Sequence, residues 1–185
     1  ALVELRHAVG VDAVDEAVGG RVHDRDLVGR EKRPRVREVL LGLLTAVLVL
    51  GLFNVFGQVV SVDVAETSTA RFEVSAPSKI RGGLFFEARY VVDAVEEIAD
   101  ATIVLDPGWL KDITLNTVEP APVGESSRDG RIALELGRIP AGERYVLYLH
   151  FQVNPTAVGI RSQDVELYDG ERRLASFDRQ AIVWP

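Results

Sequence analysis

Twenty-two consecutive residues without a charge, Val39 to Val60 (VLLGLLTAVLVLGLFNVFGQVV), constrain this chain more than any other feature. As a helix rising ~1.5 Å per residue the run is roughly 33 Å long, enough for the ~30 Å hydrocarbon core of a bilayer. Its polar members are Thr45, Asn54 and Gln58, the last two near its end. Two other placements compete with a membrane span. A core helix of a soluble domain can be apolar all round, but most soluble helices keep a polar face, and from Val39 to Phe53 only Thr45 has a polar side chain. A cleaved secretory signal has an apolar core of only ~7 to 15 residues near the N-terminus. Here the run is longer, begins at residue 39 and is followed by no small-x-small cleavage pattern. The expectation is a retained transmembrane helix over residues 39–60.

The flanks orient it. Arg30, Lys32, Arg33, Arg35 and Arg37 precede the run against Glu31 and Glu38, whereas Asp63 and Glu66 follow it before any cation, which first appears at Arg71. The positive-inside rule keeps residues 1–38 in the cytoplasm and sends residues 63–185 across the membrane, into a periplasmic or extracellular space. The basic run has a possible second role beside anionic headgroups, each cation contributing ~1 kcal/mol.

The net charge of −7 is unevenly placed: residues 1–38 balance 8 Lys+Arg against 8 Asp+Glu, and residues 63–185 hold 13 against 20. An acidic outer domain argues against nucleic acid, whose binding draws on clustered cations. Cysteine is absent, which excludes disulfides and thiolate metal sites. Methionine is absent too, position 1 included, as expected of a chain that begins within its gene product or after processing.

Before the span, Leu2, Leu5, Val9, Val14, Ala17 and Val18 recur at spacings of three and four, the pattern of an amphipathic helix. Gly10 interrupts it and Gly19-Gly20 ends it, giving two short helices or one bent one. Its polar face is acidic, which favours docking on protein over adsorption to an anionic leaflet. Residues 21–38 alternate in charge and act as a connector, broken by Pro34.

After the span the period changes to two. Phe72 and Val74; Leu84 to Val92; Ala101 to Leu105, stopped at Asp106-Pro107-Gly108; Ile113 to Thr117, closed by Pro120 and Pro122; Ile132 to Leu136 after Asp129-Gly130; Tyr145 to Val153; Val165 and Leu167 before Asp169-Gly170; and Ala175, Phe177, Ala181 and Val183 all alternate with polar residues. Val95 to Ala99 has room for one helical turn. The fold expected is mainly β: an antiparallel β-sandwich of about seven or eight strands behind one transmembrane helix and a short helical cytoplasmic segment.

In layout the outer part resembles the immunoglobulin-like sandwiches common on bacterial envelope proteins, most locally in the stretch Leu136 to Glu143 (LGRIPAGE) before a Tyr- and Leu-rich strand. The whole chain from Val39 onward resembles bacterial single-pass membrane proteins that join one span to such a sandwich and end in an aromatic-Pro pair, here Trp184-Pro185. The resemblance implies an Ig-like extracytoplasmic domain and brings no catalytic residues with it.

No motif of a hydrolase elbow, zinc protease, phosphate loop or dinucleotide fold occurs. His7 and His23 have no ligand pattern around them, and the acidic residues lack the dense loop spacing of a calcium site. We therefore expect no enzyme, no cofactor and no metal. The residues expected to make contacts are Tyr148, His150 and Gln152, which with Val146 form a semi-apolar stripe opposite Leu147 to Val153; Trp109, either folded onto the sandwich edge or presented to a partner; and Asn54 and Gln58, four apart on one face of the span. Gly42/Ala46 and Gly57/Ser61 are small-xxx-small pairs that allow a second helix to approach. The function expected is that of an accessory or scaffolding subunit of a larger membrane complex, its partners the lipid bilayer and a polytopic membrane protein. The alternative is a free-standing envelope-binding module recognising glycan or protein.

Overall fold

The structure is a computed structural model that describes residues 34–53 and 57–185. The amphipathic segment 1–20, most of the connector, and Asn54 lie outside the described residues. Two units are distinguished, one through Phe56 and one from Gly57 onward.

In the first unit a single helix is described, α1 (Pro34–Leu52). Leu, Ala and Val follow one another with no polar stripe, so Val39, Leu40, Leu41, Leu43, Leu44, Val47 and Leu48 are exposed all round it. Thr45 returns its hydroxyl to the Leu41 carbonyl at 2.8 Å. Among the described residues no helix is long and apolar enough to cross a membrane. Arg35, Arg37 and Glu38 occupy the start of α1, and its uncharged part, Val39–Leu52, is about 21 Å long against the ~30 Å of hydrocarbon. The 22-residue run is thus not one helix. Val59 and Val60 belong to a strand, because β-branched residues alternating with Ser61 and Asp63 suit a pleated edge better than a helix. Ser61 goes with them, which removes the Gly57/Ser61 helix-packing pair.

The second unit holds twelve strands: β1 (Val59–Glu66), β2 (Ala70–Arg81), β3 (Phe85–Ala94), β4 (Ile98–Leu105), β5 (Ile113–Glu119), β6 (Gly124–Arg128), β7 (Arg131–Ile139), β8 (Arg144–Val153), β9 (Gly159–Ser162), β10 (Val165–Asp169), β11 (Arg172–Phe177) and β12 (Gln180–Trp184). They form two sheets. One runs β5-β8-β3-β2-β12-β9, with β1 added to β2; the other runs β11-β10-β4-β7-β6. Phe72, Val74, Tyr90, Leu147 and Phe151 from the first meet Ile103, Leu105, Leu134 and Leu167 from the second in one core. Twofold alternation builds that core, since one face of each strand is buried and the other solvated.

This two-sheet arrangement agrees with the expected β-sandwich, exceeds the expected strand count, and departs from the expected antiparallel pairing at β12, which runs parallel to β2. Two strands carry no alternation to find, β6 (GESSR) and β9 (GIRS), which are short and held by their ladders to β7 and β12. A third, β1, alternates but starts inside the uncharged run. The final expected strand is two: β11 lies in one sheet and β12 in the other. Ala175, Phe177, Ala181 and Val183 keep the same parity across the corner, so periodicity does not register the change of sheet. No helical turn forms at residues 95–99, where the chain bends and enters β4.

Two hairpins follow their turn residues. Arg128 pairs with Arg131 across Asp129 and Gly130, both at positive φ (53° and 74°), the conformation a two-residue type I′ turn requires. Asp169 pairs with Arg172 across Gly170 and Glu171, with Gly170 at φ 57°.

Candidate functional site

β8 lies between β3 and β5 in its sheet. Its alternation buries Leu147, Leu149, Phe151 and Val153 completely and turns Val146, Tyr148, His150 and Gln152 to the outer face. The register then fixes their neighbours. Tyr148 stands between Arg89 and Glu119, His150 between Glu87 and Thr117, and Gln152 between Phe85 and Thr114. His150 Nδ1 is 3.8 Å from the Glu87 carboxylate, both half-exposed. Arg89 donates to Glu73 at 2.8 Å.

Just before β1, the Gln58 amide donates to the Phe85 carbonyl at 3.3 Å. Gln58 and Tyr148 consequently line one shallow hollow of about 460 Å³, together with Val60, Ser75, Pro77, Phe86, Glu87 and Arg89. Apolar side chains sit beside one amide, one carboxylate, one guanidinium and one phenol, the mixture found at protein-protein contacts. Of the residues singled out from sequence, Gln58 and Tyr148 line this hollow; His150 stands beside its Glu87, and Gln152 pairs with Phe85. Glu87 and Arg89 were missed. The signal was only their parity on β3, which means nothing until the β3/β8 register is known.

Of the two readings of Trp109, folding onto the sandwich holds and presentation to a partner is corrected, because the side chain is fully buried. Asp106 caps a 3-10 turn (Pro107–Trp109) that drives the indole into the core. There it stacks on Phe151 at 5.6 Å, meets Tyr90 at 5.9 Å, and donates its N–H to the Asp164 carbonyl at 3.2 Å. Gly108 permits this, since a Cβ there would lie 1.8 Å from the Ser162 carbonyl oxygen.

An ion pair with one buried partner anchors β1. Ser61 and Asp63 point inward on that strand while Val60, Val62 and Val64 point out, the reverse of a typical amphipathic strand. Arg179, at the corner between β11 and β12, is 6% exposed. Its guanidinium pairs with Asp63 and donates to Ser61 Oγ and the Ala76 carbonyl, each at 3.0 Å. Burial holds its pKa below the ordinary guanidinium value. An arginine at an inward parity position was the only trace of this in the sequence.

The outer face of the other sheet has a second hollow of about 410 Å³, bordered by Asp100, Ser126, Arg128, Glu135 and Glu171. Its one cation is already engaged. Arg128 donates to the Gly170 carbonyl at 3.0 Å and to Glu171 at 2.5 Å, and lies 4.1 Å over the Tyr168 ring. Beside it Glu166 accepts from Arg131, Arg173 and Tyr168. Among the described residues no group of three or more His, Asp or Glu side chains gathers to hold a metal ion.

No protein-family model matches the sequence, and no curated protein matches it. In structure the chain has likenesses to β-rich domains. The CARDB domain of a Pyrococcus furiosus protein, solved in complex with di-metal ions, is 12% identical, with 64% of this chain and 97% of that one covered, at a TM-score of 0.39. The GAE domain of yeast GGA1 is 3% identical over 68% of this chain and 100% of that one, at 0.28. A β-glucosidase from Listeria innocua, in complex with gluconolactone, is 9% identical over 70% of this chain and 16% of that one, at 0.30. At such scores none of the three bears on what this chain binds.

Proposed function

We propose that the chain is a non-catalytic single-pass membrane protein whose N-terminal segment is cytoplasmic and whose sandwich lies outside, an accessory or scaffolding subunit of a larger membrane complex. The observation that carries this reading is α1, which exposes leucine and valine on every side. Water does not tolerate such a surface, and lipid or neighbouring spans do. Its one polar side chain within the uncharged part, Thr45, is satisfied inside the helix, as hydrocarbon demands.

The uncharged part of the helix, Val39–Leu52, measures about 21 Å, so this reading requires the bilayer to thin locally and Arg35, Arg37 and Glu38 to extend to headgroup level. Gly42, around which α1 leaves open space, stands one turn from Ala46 and suits close approach by a partner helix. The hollow at Gln58, Glu87, Arg89 and Tyr148 serves as the outer contact.

Purification of the whole chain in mild detergent, followed by mass spectrometry, tests this. A polytopic membrane protein in fixed stoichiometry is expected, lost on Gly42→Leu and weakened by Glu87→Arg. Release of the chain from membranes by alkaline carbonate would overturn the span. A detergent-solubilised monomer that retains cell-wall material would favour the envelope-binding alternative.

A further inference from the structure

The exposed leucine, isoleucine and aromatic side chains of the sandwich are gathered at one end. Lys79 pairs with Val59 on one side and Ile182 on the other, and Ile182 pairs with Ile160. Next to this row the Gly82 N–H donates to the Trp184 carbonyl, the Gly83 N–H to that of Val153, and Leu84 and Phe85 open β3 opposite Gln152. Phe85 is 63% exposed, Ile160 64% and Trp184 46%. Elsewhere on the sandwich the exposed large apolar side chains are valines, Val60, Val62 and Val64 in a row on β1 and the others apart from them.

The cations have the same distribution. Of the thirteen Lys and Arg in residues 63–185, ten are ion-paired among the described residues. The three that are not are Lys79, Arg81 and Lys111. Lys79 and Arg81 close β2 at this end, and Lys111 precedes Asp112, whose carbonyl accepts from the Asn154 N–H just after β8. In an acidic domain, every cation without an acidic partner among the described residues thus borders the one apolar, aromatic-bearing surface.

We propose that this end of the sandwich rests in the interfacial layer of an anionic bilayer leaflet, with Trp184 and Phe85 at headgroup depth and Lys79, Arg81 and Lys111 against lipid phosphates. The proposal rests on the membrane-span reading above. Indole and phenyl rings beside aliphatic side chains and basic residues are the chemistry that partitions there. A second copy docked through this surface would set three unpaired cations against the same three.

The two tryptophans provide the test, because Trp109 is buried in the core and Trp184 is not. The full chain is reconstituted in phosphatidylcholine/phosphatidylglycerol vesicles, and the signal of Trp184 is taken as the difference between wild type and Trp184→Phe. Lipids brominated near the headgroup should quench that signal. Replacing Lys79, Arg81 and Lys111 together by Glu should weaken the quenching at low salt at least about twofold. Trp184 open to aqueous acrylamide and untouched by brominated lipid overturns the proposal, and so does shielding from both quenchers, which marks a protein contact. Carbonate resistance separates the two readings. A chain that stays with the vesicles while Trp184 is unquenched overturns the surface contact alone, whereas a chain that washes off overturns the span and the contact together.

Discussion

Removing Asp63 should cost more than removing Arg179, although Arg179 makes more of the bonds. The guanidinium is 6% exposed and has three partners, Asp63, Ser61 Oγ and the Ala76 carbonyl. Asp63→Ala leaves that cation buried without its counter-ion. Breaking a fully buried pair in this way costs about 3 to 5 kcal/mol, and the solvent that reaches Asp63, 42% exposed at its side chain, reduces this to about 2 to 3 kcal/mol. Arg179→Met takes away the two charge-assisted hydrogen bonds but also the desolvated charge. The Ala76 carbonyl keeps the Ser61 hydroxyl at 3.2 Å, and the Asp63 carboxylate remains hydrated. The net loss should be about 1 kcal/mol, and the double variant should resemble Arg179→Met. Urea denaturation of the detergent-solubilised chain, followed by circular dichroism of the β signal, measures all three, and hydrogen exchange of β1 amides localises the effect. If Arg179→Met proves the more destabilising, the guanidinium is a net stabiliser and the desolvation argument is refuted.

Further outcomes follow from the same geometry. Trp109→Ala should cost about 3 to 5 kcal/mol, since it vacates the centre of the Tyr90/Phe151 stack and strips the Asp164 carbonyl of a donor; a drop in urea midpoint smaller than that of an ordinary surface variant would contradict its core placement. Gly108→Ala, whose Cβ would meet the Ser162 backbone, should destabilise well beyond Gly130→Ala, which has open space and loses about 1 kcal/mol to its positive φ; thermal melts rank the two. At Glu166 burial raises the carboxyl pKa, but hydrogen bonds from Arg173, Arg131 and Tyr168 together outweigh it, and at Asp93 the Arg144 hydrogen bond leads the lowering. Both carboxylates thus titrate lower when folded, so their contribution is present above the unfolded value of ~4 and is lost as pH falls through the folded values. Melting temperature should be flat from neutrality to about pH 5 and fall below that, less steeply in Glu166→Gln; a decline that begins near neutrality would point to other groups.

The sequence by itself determined the β class, most strand positions and the outward stripe on β8. Burial of one face imposes a period of two, and Leu147, Leu149 and Phe151 carry it unmistakably. Asp129-Gly130 likewise declares its own turn through local backbone sterics. What only the tertiary structure decided depends on partners distant in the chain. The division of the uncharged run into α1 and β1 follows from β1 finding β2, because a strand exists only through its ladder and propensity alone leaves Val59 and Val60 free to extend a helix. The split of the last strand follows from Arg179 finding Asp63 across 116 positions of sequence. The hollow at Gln58 and Tyr148, and the gathering of Phe85, Ile160 and Trp184 with Lys79, Arg81 and Lys111, come from strand register. Side-chain parity says which face a residue takes, while register, fixed by the packing of the whole core, says whose neighbour it becomes.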